Sequence, residues 1–201
     1  EKRGFFLEGA GVYSFLPRNG VTPFFSRRIG LNEGKQIPIN YGARLSGQLG
    51  NYELGFIQSN TKPVENMPGE NFTVARVKRA FLKQSYIGFV YTDRSSSKIK
   101  VDSSAMDQNL YGTDLDLKTS EFMGNKNLEF QAFLVYNTAP KNKPDLNFSD
   151  LSARGFRLNY PNDIIRTHVS YRELGEMYNP AVGFSSRNGF KRIQPSFSYH
   201  P

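Results

Sequence analysis

The chain has 201 residues, with 26 Lys and Arg against 18 Asp and Glu and a net charge of +8. Mean hydropathy is −0.54, and no apolar run approaches the roughly 20 residues of a membrane-spanning helix, so helical membrane topology is excluded. A membrane barrel is not excluded, because its strands offer only alternate residues to lipid. Cysteine is absent, which removes disulfides and thiolate metal sites. The basic residues are scattered along strand-like stretches and form no compact patch that could track phosphates, which argues against nucleic acid.

Residues 1–40 are irregular, with Gly4, Gly9, Gly11, Pro17, Gly20 and Pro23 breaking any period. After Gly42 the pattern changes to alternating stretches separated by turn residues. Tyr41, Ala43, Leu45 and Leu49 share one face and Arg44, Ser46 and Gln48 the other. Gly50-Asn51 suits a tight hairpin, after which Tyr52, Leu54 and Phe56 continue the apolar face. A turn of helix is expected near Lys78 to Lys83. Ser85 to Asp93 is apolar on both faces. Alternation returns at Tyr111 to Lys118, Leu128 to Asn137, Gly155 to Tyr160, Ile165 to Arg172 and Arg192 to Tyr199. Residues 124–127 and 160–163 read as short turns, and 93–108, 138–150 and 174–189 as longer loops.

About eight or nine strands, with short turns at one end and long loops at the other, have the layout of an outer-membrane barrel. A soluble β-sandwich alternates too. Two features favour the membrane. Apolar faces end in Tyr52, Tyr136, Tyr160, Tyr171 and Tyr199, as an interfacial girdle would. The opposite faces carry Asp114, Glu129, Arg157 and His168 at mid-strand, as a wet lumen would.

Catalytic signals are weak. Ser95-Ser96-Ser97-Lys98 fits S-x-x-K, but its partner motifs are missing. Gly9-Ala10-Gly11 lacks the strand-then-helix context of a dinucleotide site, so no cofactor is implied. His168 and His200 have no ligand-spaced companions. Asp114 and Asp116 share a strand face that Glu129 could meet across a hairpin; such a trio could hold Ca²⁺, but pairing with Lys or Arg is the commoner use. Near the N-terminus, Glu8, Arg27 and Arg28 interleave with Phe5 and Phe6, a composition that suits either a packed plug or an anion- or sugar-binding surface. The plug reading expects Arg27, Arg28 and Glu8 to be partly buried and ion-paired.

Five blocks carry a family resemblance. Glu1 to Gly9 (EKRGFFLEG) and Phe25 to Leu31 (FSRRIGL) resemble motifs of the family called domain of unknown function 5916, and Gly42–Gly47, Asn71–Val77 and Asn179–Phe184 are similar to further blocks of it. Gly4 stands where the family pattern has Pro, which loosens the entry turn. The resemblance implies an outer-membrane barrel region in a Gram-negative bacterium, placed downstream of a domain like the family-9 carbohydrate-binding module. It supplies no catalytic residues.

The expectation is therefore an all-β antiparallel meander over 41–201, part of a barrel and incomplete at its C-terminal end, preceded by an Arg- and aromatic-rich entry or plug segment over 1–40. Its expected role is non-catalytic, in transport, anchoring or docking of a carbohydrate-binding domain, with outer-membrane lipid as the partner. The alternative is part of a glycan-binding or glycoside-hydrolysing envelope enzyme, which would need paired carboxylates in a cleft.

Overall fold

A computed structural model describes residues 10–16, 20–32, 35–64, 68–96, 107–140, 143 and 145–201. In chain order the strands are β1 (Val21–Thr22), β2 (Leu31–Asn32), β3 (Lys35–Gln36), β4 (Ile39–Leu49), β5 (Tyr52–Thr61), β6 (Glu70–Phe81), β7 (Ser85–Ser96), β8 (Gln108–Phe122), β9 (Lys126–Asn137), β10 (Ser152–Pro161), β11 (Ile165–Leu174), β12 (Phe184–Ser185) and β13 (Phe190–Tyr199). Two short 3-10 turns, Ala10–Tyr13 and Ser26–Arg28, complete the described elements.

Nine strands form one antiparallel meander in the order β13-β11-β10-β9-β8-β7-β6-β5-β4. Every neighbour in this sheet except β11–β13 is consecutive in sequence, and that connection carries only the short β12. Turns at 50–51, 82–84, 123–125 and 162–164 are tight, whereas the connections 62–69, 97–107, 138–151 and 175–189 are long. All the tight turns lie at one end of the sheet and all the long connections at the other. Gly50, at φ +55°, takes the left-handed conformation that its hairpin requires. The sheet does not close, because β4 and β13 are edges that do not pair with each other.

The expected helical turn at 78–83 is not present. Lys78 to Phe81 completes β6, and the chain turns only at 82–84. Alternation in β6 was obscured because its buried face mixes Phe72 and Val74 with Arg76 and Lys78. Two cations among apolar residues imitate a solvated helix face when read without their partners.

One face of the sheet is covered and the other is open. On β5, Gly55, Ile57, Ser59 and Thr61 are buried, while Tyr52, Leu54 and Phe56 are exposed. On β9, Gln131, Phe133, Val135 and Asn137 are buried beneath the cover; Leu128, Phe130, Ala132, Leu134 and Tyr136 take the other face, as alternation demands. The cover is made by residues 10–16 and 20–32 and by the loop 175–189. Val12, Tyr13 and Ile29 pack with Ile57, Phe72, Val74, Ala181 and Val182, and Leu16 and Val21 pack with Val90, Leu110, Phe133, Val135 and Tyr178. Pairing of β1 with β12 and a bond from Phe25 N–H to Val182 O tie the N-terminal segment to that loop.

Candidate functional site

The open face carries the larger candidate surface. Leu45, Leu54, Phe56, Val77, Ile87, Phe89, Leu134, Phe156, Leu158, Val169, Ile193 and Phe197 lie on it, each between 36% and 73% exposed. A contiguous apolar surface of this extent marks an interaction with a membrane or another protein. Its borders are aromatic. At the tight-turn end stand Tyr52, the Phe122–Tyr160 pair with centroids 6.4 Å apart, and Tyr199. At the loop end stand Tyr41, the Tyr91–Tyr111 pair at 5.2 Å and the Tyr136–Phe148 stack at 5.1 Å. Beyond the loop-end border the same face turns polar. Asn60 donates to Asn71 at 2.8 Å, Thr73 to Gln58 at 2.6 Å, and the Tyr91 hydroxyl to Asn109 at 3.2 Å.

The band crosses the strands obliquely. One register row runs Leu54, Val77, Phe89, Thr113, Leu134, Arg154, Glu173, Lys191 from β5 to β13. It is largely apolar at its β5 end and becomes an ion triad at its β13 end, where Glu173 lies 3.0 Å from Arg154 and 3.3 Å from Lys191. The tight-turn border moves the same way. Tyr52 is two residues from this row on β5 and Tyr199 eight residues from it on β13, a drift of six residues over seven strand spacings. At about 3.4 Å per residue and about 4.8 Å per strand, this corresponds to strands inclined by roughly 30° to the normal of the band. Membrane barrels incline theirs by about 35–45°.

The covered face also buries charge. Arg76 and Asp114, both fully buried, form a two-pronged ion pair at 2.6 and 2.8 Å, and the Tyr86 hydroxyl adds a bond to Asp114 at 3.2 Å. Arg76 also donates to Ser14 O at 3.1 Å and lies 5.5 Å from the Phe15 ring centroid. Lys78 Nζ donates to Gly11 O and Ser14 Oγ, each at 3.0 Å. Strand cations thus hold residues 11–15 down over the sheet. A Cβ at Gly88 would meet Asp114 Oδ1 and lie 2.6 Å from Arg76 Nη1, so a side chain there would have to displace the ion pair.

Asp114, Asp116 and Glu129 do share this face, as their spacing predicted, and cations engage each of them. Lys118 Nζ bridges Asp116 at 2.7 Å and Glu129 at 3.3 Å, and Gln131 Nε2 donates to both, at 3.4 and 3.1 Å. Asn159 donates to Glu129 at 3.1 Å. Among the described residues no group of three His, Cys, Asp or Glu is arranged to hold a metal ion. Arg157 and His168 lie on the same covered face, opposite Gln131 and Asn159 in the register.

The expectation for the N-terminal arginines needs correction. Arg27 and Arg28 are exposed rather than partly buried; they sit on a 3-10 turn at the rim of the cover. Arg28 Nε donates to Gly183 O at 3.1 Å, so it clasps the 175–189 loop through a backbone carbonyl. Glu8, Phe5 and Phe6 lie outside the described residues. Sequence reasoning missed Arg76 and Lys78, although two cations at alternate positions of one strand face, with Asp114 and Asp116 at the same spacing on another, were a usable signal.

No family model, curated protein or solved structure matches the chain.

Proposed function

We propose that this chain forms part of the wall of an outer-membrane β-barrel in a Gram-negative cell envelope, with its N-terminal segment folded inward as a plug. The observation that carries the reading is the oblique apolar band on the open face, bordered by aromatic rings at both ends, set back to back with buried charge. A soluble sandwich would leave its second face polar; here the uncovered face is apolar, and the covered face buries charge among its apolar side chains. The plug is held by Arg76 and Lys78 from the barrel wall. In this reading the chain is non-catalytic and serves transport or anchoring, and the likeness to domain of unknown function 5916 extends the proposal to docking of an attached carbohydrate-binding domain.

The chain has no tryptophan, so a single introduced Trp reports its own surroundings. The full chain is refolded into vesicles whose acyl chains carry bromine at mid-depth. Trp at Leu158 or Phe89 should be strongly quenched, and Trp at Asn127, in the first residues of β9, should not. Equal and weak quenching at all three positions, or a monomer that stays in the aqueous phase on flotation, would sink the assignment.

A further inference from the structure

Several cations of the sheet are answered by a carboxylate: Arg76 by Asp114, Arg94 by Glu70, and Arg154 and Lys191 by Glu173. Arg79 differs. It lies on the open face of β6, in register with Tyr52 of β5 and Ile87 of β7, at the tight-turn border of the apolar band. Its side chain is exposed, and its guanidinium carries neither an ion pair nor a hydrogen bond among the described residues. The nearby Glu53 does not serve, because alternation puts it on the covered face, where it lies 3.5 Å from Lys78. What Arg79 does touch is aromatic: its guanidinium carbon stands 5.7 Å from the centroid of the Tyr52 ring. Ala80 N–H donates to Asn51 O at 2.8 Å, which extends the β5–β6 ladder past this pair and fixes the backbone beneath it.

The inference rests on the membrane reading of the open face. In water an exposed guanidinium is satisfied by solvent and implies no ligand. At the rim of a lipid-facing band the same group stands at headgroup depth, where long basic side chains extend to the interface and tyrosines line it. Its counter-charge then has to come from a lipid. A guanidinium fork matches the two non-bridging oxygens of a phosphodiester, and a ring beneath the fork fixes its plane. We propose that Arg79, stacked on Tyr52, is a headgroup site for an anionic glycerophospholipid, one whose phosphate has no ammonium group beside it. Arg79 supplies the charge-assisted donors and Tyr52 the platform. The apolar row Leu54, Val77 and Phe89 lies two residues further into the band, where the acyl chains of that lipid would run.

The test uses the full chain refolded into phosphatidylcholine vesicles that contain a minor fraction of phosphatidylglycerol. Ile87→Trp, beside Arg79 in the register, reports the lipid at the site while leaving Arg79 and Tyr52 in place. Leu158→Trp, three strands away on β10, reports the general lipid shell. Bromine is carried by the acyl chains of phosphatidylglycerol in one arm and of phosphatidylcholine in the other, so that depth cancels in the comparison. Brominated phosphatidylglycerol should quench Ile87→Trp as though enriched about three- to fivefold over its mole fraction, and should quench Leu158→Trp in proportion to that fraction. Adding Arg79→Gln should abolish the enrichment, and adding Lys83→Gln, in the exposed 82–84 turn, should leave it unchanged. The enrichment itself is read with Arg79 intact, so the outcome does not depend on an arginine variant refolding. Inorganic phosphate should compete no better than chloride at equal ionic strength. Proportional quenching at both positions, enrichment that survives Arg79→Gln, an equal loss in Lys83→Gln, or displacement specific to inorganic phosphate overturns the site alone. Absence of quenching of Leu158→Trp by either lipid overturns the membrane reading, and the site with it.

Discussion

Phe130→Arg probes the open face near its middle. Phe130 lies six residues from Tyr136 along β9. Six steps at about 3.4 Å make roughly 20 Å along the strand, or about 18 Å along the band's normal at the inclination of roughly 30° found above. If the open face lies in a membrane, with an apolar band about 25 Å tall, Phe130 would sit within roughly 5 Å of the midplane. An arginine at that depth costs about 2–4 kcal/mol, against about 0–1 at the interface. Phe130 also stacks on Phe156 with centroids 6.5 Å apart, and losing that pair adds about 0.5–1 kcal/mol. The expected destabilisation is about 3–5 kcal/mol. Tyr136→Arg, at the aromatic border, loses a comparable ring contact with Phe148 but pays only the interfacial cost, about 1–2 kcal/mol in all. The assay is urea titration of vesicle-refolded protein, with the folded fraction read from mobility on unheated gels. Costs for the two variants within about 0.5 kcal/mol of each other would refute the argument, because depth is then irrelevant.

Asp114→Asn strands the fully buried Arg76 without its carboxylate and should cost about 3–5 kcal/mol in the same titration, whereas Arg76→Met with Asp114→Leu should recover most of it. Gly55→Ala should loosen the cover but spare the sheet, since its Cβ would meet Val12 Cγ1 at 2.6 Å and Tyr13 Cε1 at 2.8 Å; faster amide exchange in residues 10–16 with unchanged exchange in β8 and β9 is the expected pattern. Tyr178, in the 175–189 loop, is fully buried, its hydroxyl has no hydrogen-bond partner among the described residues, and burial pushes its pKa well above the ordinary tyrosine range. Its neutral form therefore favours the folded state below about pH 10, and that contribution is lost as pH rises from there through the folded pKa. Tyr178→Phe should stabilise the protein by about 1 kcal/mol at neutral pH and flatten the loss of stability in alkali; an unchanged alkaline profile would count against it.

Most of the alternating strands, the short turns at 50–51, 124–127 and 160–163 and the long loops after β7, β9 and β11 were legible from period and turn chemistry alone; β6 and the connections 62–69 and 82–84 on either side of it were not. Leu128 to Asn137 shows why: every second residue is apolar, and the intervening Glu129, Gln131 and Asn137 leave one register available. β6 resisted because burial there is satisfied by charge pairing. Arg76 and Lys78 look solvent-facing until Asp114, thirty-eight residues away, and the Gly11–Ser14 backbone are brought to them. The role of residues 10–16 and 20–32 as a cover was only half legible. Its aromatic composition suggested packing, but the surface it covers is assembled from β5 to β11, and no local signal points Tyr13 at Gly55 or Leu16 at Phe133.

The sheet edges set a last constraint on the membrane reading. β4 and β13 each run ten residues or more with one free side. In hydrocarbon every unpaired N–H and C=O costs several kcal/mol, so an open edge there is not tolerated. Pro195 removes one N–H from β13, but its carbonyl and the remaining backbone groups still need partners. The two edges could pair with each other, making a nine-stranded ring. Bacterial single-chain barrels have an even strand number, and the edges do not meet in the structure. Other strands should therefore lie between them. The chain has no cysteine, which makes the test direct. Ser46→Cys on the covered face of β4 is combined in turn with Gln194→Cys, Ser196→Cys or Ser198→Cys on the covered face of β13, scanning the register. A disulfide needs Cα atoms about 4.4–6.8 Å apart, a separation that adjacent strands reach and strands with another between them do not. No pair should cross-link in vesicles under mild oxidation. Efficient cross-linking in any one register would mean that these nine strands close on themselves, and the even-numbered barrel would have to be abandoned.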